Sequence, residues 1–411
     1  MVGNKFICPQ KVNPYAHRKF LLSMNEIVAR GYEEVLIDFT KVTNAYPNGM
    51  VPIISSIDYY RRLGIKFKIS LPKIENVRDL FFRSNWSHLL LPETFDAQNT
   101  QYYKHLAARR FKTFNEQQDT VNEFMDIVLS NIEMKPSVIS ALEWSINEIT
   151  DNVLNHSNSK DGGVIQVSTY PQNHRISFAV ADSGVGIKSS LSESYTKLTS
   201  DIMAIGEAIK SGVTRNNKYG QGNGLAGTLR IAEKTGGSFS VISGKGKLTY
   251  YEENADRQSY RDIDYQGTVV TADIMDNVDS FSIEDALEFN GVKTSHANII
   301  ELNYLSDEEN TFKLIMKDES TGFGNRPVGR MLRRKVNNIL STEESIPISI
   351  DWAGVPIISS SFADEFMGKL FLEHGAMVFS ARIRNMGMES IIHGLLDKAI
   401  GQRLTQANDE L

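Results

Sequence analysis

Glu148-Ile149-Thr150-Asp151-Asn152-Val153-Leu154-Asn155-His156 closes a helical pattern that begins at Ser137, and its reading decides what the middle of this 411-residue chain is. Leu142, Ile146, Ile149 and Val153 recur at helical spacing, so that face belongs to a core. Glu148, Asp151, Asn152 and Asn155 fall on the opposite face. Solvated faces usually mix in cations, yet no Lys or Arg occurs between Lys135 and Lys160. An acid-and-amide stripe suits a hard cation such as Mg2+, which prefers oxygen and takes only one or two ligands from protein. Taken alone, the helix fits a solvated surface and a metal site equally.

Two further segments bear on the choice. Asp182-Ser183-Gly184-Val185-Gly186-Ile187 begins where the strand pattern Ile176–Ala181 ends. A carboxylate there can accept a hydrogen bond from an amino group such as that of adenine, and the glycines let backbone approach a flat ligand. Gly220-Gln221-Gly222-Asn223-Gly224-Leu225-Ala226-Gly227 carries four glycines in eight positions and opens a helix. Free N–H groups at a helix N-terminus attract phosphate, and Arg215 and Lys218 stand just upstream. No Gly-Lys-Ser/Thr closes the run, so it is not a Walker P-loop. Two unit charges about 4 Å apart at an effective dielectric near 20 interact by roughly 4 kcal/mol, so Glu148 beside a triphosphate calls for a bridging cation.

In combination the three segments resemble the GHKL ATPase superfamily, which includes gyrase B, heat-shock chaperones, MutL, histidine kinases and anti-sigma-factor kinases. Glu148 to His156 resembles its N box, Asp182 to Gly186 its first glycine box, and Gly220 to Leu225 the second, at the end of the ATP lid. Gly267–Thr268 resembles the late-strand threonine that supports the adenine-binding aspartate. The resemblance implies ATP and Mg2+ as ligands, with Asn152 on the metal and Asp182 on the adenine amino group. Gly184 and Gly186 line adenine and ribose, the lid glycines wrap the phosphates, and Glu148 is the general base. The implied nucleotide-binding set is Asn152, Asp151, His156, Asp182, Gly184, Gly186, Ile187, Arg215, Lys218, Gly220, Gln221, Gly222, Asn223, Gly224, Leu225 and Thr268. His156, four after Asn152, is similar to the anti-sigma-factor kinase pattern. His105 lacks the acidic and proline neighbours of a histidine-kinase phosphoacceptor.

The fold expected for residues 115–278 is a Bergerat-type two-layer α/β sandwich: helices over 117–132, 137–156 and 225–235, and strands over 164–169, 176–181, 238–243 and onward to Asp273. The flanks read as strand–helix–strand units suited to parallel sheets. The first has strands over 35–39 and 65–69, with a helix stopped by Gly64. The last has a strand over 348–352, a helix from Ser359 to Gly375, and a strand over Met377-Val378-Phe379-Ser380. Aligned without a gap, Asp38–Phe39 matches Asp351–Trp352 and Val42 matches Val355. Both flanks, 1–90 and 285–405, resemble STAS-type α/β domains, whose serine at a helix start is phosphorylated by a cognate GHKL kinase. Ser359, Ser360 and Ser361 stand in that place. They also suit helix capping, with Ser361 and Asp364 making a capping box. The first flank has only Asn44, Pro47 and Asn48 there.

Bulk properties fit two to three domains. With 41% hydrophobic and 23% charged residues and a net charge of −6, nothing draws the chain to nucleic acid or membrane. The basic runs Arg109-Arg110-Lys112 and Arg333-Arg334-Lys335 read as solvated helix faces. Cys8 is the only cysteine, which excludes a disulfide framework. Without a secretory leader or a membrane-length apolar stretch, a cytoplasmic protein is expected. Two functions remain open: an ATPase or serine kinase coupled to STAS-like domains, and an ATP-gated switch that dimerises or binds protein partners with little turnover.

Overall fold

Burial alternates residue by residue along Ser238–Gly244 and Gly246–Tyr251, the pattern of strands with one covered face. By contrast, Gly163–Tyr170 and Arg175–Asp182 are buried almost throughout, which requires cover on both faces. The computed structural model, which describes residues 3–98, 107–192, 195, 197–210, 223–278, 280–289, 292–293, 299–306, 310–320 and 322–409, supplies that cover. It divides into two units, Met1–Phe124 with Ala141–Ser295, and Met125–Ser140 with His296–Leu411.

In the first unit, seven antiparallel strands run in the order Asn254–Ser259, Gly246–Tyr251, Ser238–Gly244, Tyr265–Met275, Arg175–Asp182, Gly163–Tyr170 and Arg109–Phe111. The helices Pro136–His156 and Gly224–Lys234 meet through Gly227, where a Cβ would lie 2.2 Å from the Trp144 ring. A second sheet is parallel and has three strands, Lys5–Ile7, Glu34–Asp38 and Lys66–Ser70. The helix Pro47–Arg62 packs on strands of both sheets. Eleven of its sixteen residues are buried, as expected of a helix enclosed all round. Phe20, Ile37, Ile54, Val164, Ala181 and Tyr265 accordingly belong to one continuous core.

The second unit holds a four-stranded sheet in the order Leu305–Ser306, Thr311–Ile315, Ile348–Asp351 and Ile383–Met386, its first pair antiparallel and the others parallel. Trp352, Phe362 and Phe366 pack as an aromatic cluster beneath it. The buried Asn338 amide donates to Leu129 O (2.6 Å) and Ile132 O (2.7 Å) and accepts from Met134 N (3.0 Å). The two strand–helix units share local geometry. Asp38 Oδ1 accepts from Thr40 N and Asp351 Oδ1 from Ala353 N, both at 2.9 Å. Val42 N then donates to Phe39 O (2.9 Å), as Val355 N does to Trp352 O (3.0 Å).

Three expectations are corrected. Residues 377–380 are helical, and the strand comes six residues later at Ile383–Met386. Gly375, at φ 73° and ψ 163°, does end the first helical segment as expected, and a second segment continues from there to Arg382. Met377 is 86% exposed, so its apolar run does not enter the sheet. The helix cap is Ser359, whose Oγ accepts from Phe362 N (3.1 Å), whereas Asp364 pairs with Arg403 in place of a capping box. Arg109 and Arg110 lie on an edge strand and pair with Glu123 and Asp58. Arg333 and Lys335 are not solvated: Arg333 bonds Glu365, and Lys335 is buried between Asp126 and Glu319.

Candidate functional site

Asp182 ends its strand and is 3% exposed. Oδ1 accepts from Gly184 N (2.8 Å) and Oδ2 from Thr268 N (3.2 Å). Burial pushes this carboxyl up to about 7 against the pull of those two N–H groups. Each oxygen keeps a lone pair for a further donor. Thr268 thus supports Asp182 through its backbone, while its hydroxyl lies 3.5 Å from Ser243 Oγ.

The glycines around Asp182 are set by close approach. A Cβ on Gly184 would lie 2.0 Å from Ser157 O, the same carbonyl that accepts from Val185 N at 2.7 Å. Gly267, at φ +112°, would put a Cβ 2.1 Å from Asp182 O. Ser243 Oγ ties the neighbourhood together, donating to Gly267 O (2.8 Å) and accepting from the N–H of buried Ile187 (2.9 Å). Gly186 sits beside it at φ +76°.

On the helix Pro136–His156, Leu142, Ile146, Ile149 and Val153 are all buried. Glu148, Asp151 and Asn152 are half-buried and Asn155 is exposed. Burial, with the Asp151 charge adding to it, pushes the Glu148 carboxyl up to about 7. Burial also raises Asp151, opposed by a hydrogen bond from Gln117. His156 ends the helix, half-buried.

Gly224 joins this helix to the glycine run. A Cβ there would fall 2.7 Å from Glu148 Oε2 and 3.1 Å from Asn152 Nδ2. The N-terminus of Gly224–Lys234, with Asn223 before it and half-buried Leu225 after, therefore faces the carboxylate and amide directly. Arg215, Lys218, Gly220, Gln221 and Gly222 lie outside the described residues. A carboxylate and an amide side by side are the oxygen donors that a hard cation such as Mg2+ takes from protein, so Glu148 and Asn152 could hold one. Among the described residues no group of three or more His, Cys, Asp or Glu side chains makes a self-contained metal site.

Sequence reasoning missed three contributors. Tyr265 Oη is bonded to Asp182 O (2.7 Å) and to Ser55 Oγ (3.1 Å). Arg62 donates to Ser183 O (2.8 Å) and Ser183 Oγ (2.9 Å). Ser243 is the third. Only Tyr265, two residues before Gly267–Thr268, lay close enough to a motif to draw notice.

Among the described residues no helix is long and apolar enough to cross a membrane. The chain matches no curated protein and no solved structure. Residues 138–277, about a third of the chain, match the family model of histidine kinase-, DNA gyrase B-, and HSP90-like ATPases. The chain thus carries a GHKL-type ATPase domain over 138–277, and with it the fold of an ATP-binding protein.

Proposed function

We propose that the protein is a regulatory ATPase in which Mg-ATP turnover is coupled to STAS-like flanking domains. The observation that carries this reading is the meeting of Glu148, Asn152 and Gly224. A carboxylate, an amide and a helix N-terminus that meet in this way suit the end of a triphosphate. Asn152 would hold Mg2+, which would neutralise phosphate charge. Glu148 takes the proton from the attacking water or hydroxyl, and a carboxyl pushed up to about 7 is matched to that task near neutral pH. Asp182 accepts from the adenine amino group.

The STAS-like reading rests on the matching turns after Asp38 and Asp351 and on the parallel strands of both sheets. A serine-kinase version is favoured by Ser360, whose side chain is exposed beside the cap Ser359. The alternative, a switch that changes its protein contacts on ATP binding, needs no base.

Phosphate release with Mg-ATP, measured on the wild type and Glu148→Gln, tests the proposal, with mass spectrometry of the same samples for phosphoserine at 359–361. Turnover in the wild type and a loss of about 100-fold in the variant are expected. Equal rates would remove Glu148 as the base. ATP binding without turnover in either protein would favour the switch, and phosphoserine would identify the acceptor.

A further inference from the structure

The last rung of the ladder between Gly163–Tyr170 and Arg175–Asp182 pairs Gly163 with Asp182. Ser183 is the first residue beyond it and is 4% exposed. A buried carbonyl needs a donor, and no further rung supplies one here. Arg62, in the last turn of Pro47–Arg62, takes that place. Its guanidinium reaches Ser183 O at 2.8 Å and Ser183 Oγ at 2.9 Å, and is itself held by Asp161. The same helix provides Ser55, bonded to the Tyr265 hydroxyl that holds Asp182 O. Two consecutive carbonyls, of Asp182 and Ser183, are thus fixed by groups tied to this one helix. The helix lies wholly outside the stretch matched to the ATPase family.

We propose that Arg62 is a positioning residue for the nucleotide site, through which the N-terminal block sets the protein's preference for an adenine base. The proposal rests on the reading of Asp182 as the acceptor for the adenine amino group. The carboxylate of Asp182 takes its aim from the backbone at 182–184, since Oδ1 accepts from Gly184 N. Loosening Ser183 turns that carboxylate away from the base while leaving Glu148, Asn152 and Gly224 undisturbed. The effect is therefore specific to the base and not to the triphosphate. Any partner that shifts Pro47–Arg62 would act on the same contact, which makes the helix an input to the site.

The test compares equilibrium binding of ATP and of inosine triphosphate, which carries an oxygen where ATP has the amino group, to the full chain with Mg2+. The wild type prefers ATP. In Arg62→Ala, ATP affinity falls about tenfold, as for a lost pair of charge-assisted hydrogen bonds, and inosine triphosphate affinity changes less than about twofold. Arg62→Lys retains the charge facing Asp161 without the planar fork and falls between the two. Asp161→Asn, which leaves the Ser183 bonds in place, keeps the preference for ATP. Unchanged ATP affinity in both Arg62 variants overturns the proposal, as does an equal loss for both nucleotides. A wild type that binds both equally tightly removes Asp182 as the base-reading acceptor, and one that binds neither removes the nucleotide site itself.

Discussion

Gly224 leaves very little room at the end of the site proposed to take the phosphates. A methyl group there would meet the tip of Glu148 at 2.7 Å, and that tip belongs to a flexible side chain that can swing aside. Gly224→Ala should therefore fold, bind ATP with little change and lose turnover by about 10- to 100-fold, because misplacing a reacting group by about 1 Å is costly. Steady-state phosphate release beside equilibrium ATP binding checks this, and parallel losses in both would argue against it. At this scale the sequence was most legible where one motif carries several contacts. The helix face of Glu148 and Asn152, the strand-end Asp182 and the glycine before Leu225 could all be read from spacing. Arg62 could not, because its partner Ser183 lies 121 residues away and nothing local marks a last-turn arginine as a hydrogen-bond donor to a distant carbonyl.

Among the elements, periodicity found the long helices and the alternating strands, and it failed where runs were short. Met377-Val378-Phe379 has strand composition, but so short an apolar run does not distinguish helix from strand. Exposure of Met377 decides it for helix. The segment joining Phe114–Asn131 to Pro136–His156 is a further case. The carbonyl at 129 in the last turn of the first helix, and the carbonyl at 132 and the amide at 134 in the segment itself, are satisfied by one side chain, Asn338, in the helix Arg326–Thr342. Asn338→Ala removes three buried hydrogen bonds and should destabilise the protein by about 3 kcal/mol at roughly 1 kcal/mol each. Urea denaturation reports it directly, and a loss below about 1 kcal/mol would mean that water replaces the amide.

For the whole molecule, the N-terminal sheet, its helices and the antiparallel sheet share one core, and a buried histidine lies within it. His17 is 2% exposed, with Nε2 3.2 Å from Ser56 Oγ and its ring edge-on to Tyr265. Burial lowers its pKa to about 3. Between that value and about 6.5 the unfolded chain binds a proton that the folded chain does not. Stability from this group is therefore full above pH 6.5 and declines as pH falls, by up to about 1.4 kcal/mol per unit. Glu148 and Asp182, with raised values, act in the opposite sense. They are present in wild type and in His17→Gln alike, so they cancel in the difference. Urea midpoints at pH 7.5 and 5 should fall less in His17→Gln than in the wild type, and equal falls would contradict a neutral His17. The sharing of one core by Phe20, Ile54, Val164 and Tyr265 was not legible, because an apolar face in sequence does not name the face that it meets.

The stitch made by Asn338 also sets a timetable. Met134 leaves the ribosome 204 residues before the side chain that accepts from its amide. At about 5–20 residues per second that is roughly 10–40 s. For that time the turn at 129–134 must go without its native partner, and the early part of the second unit waits in the nascent chain for its own C-terminal half.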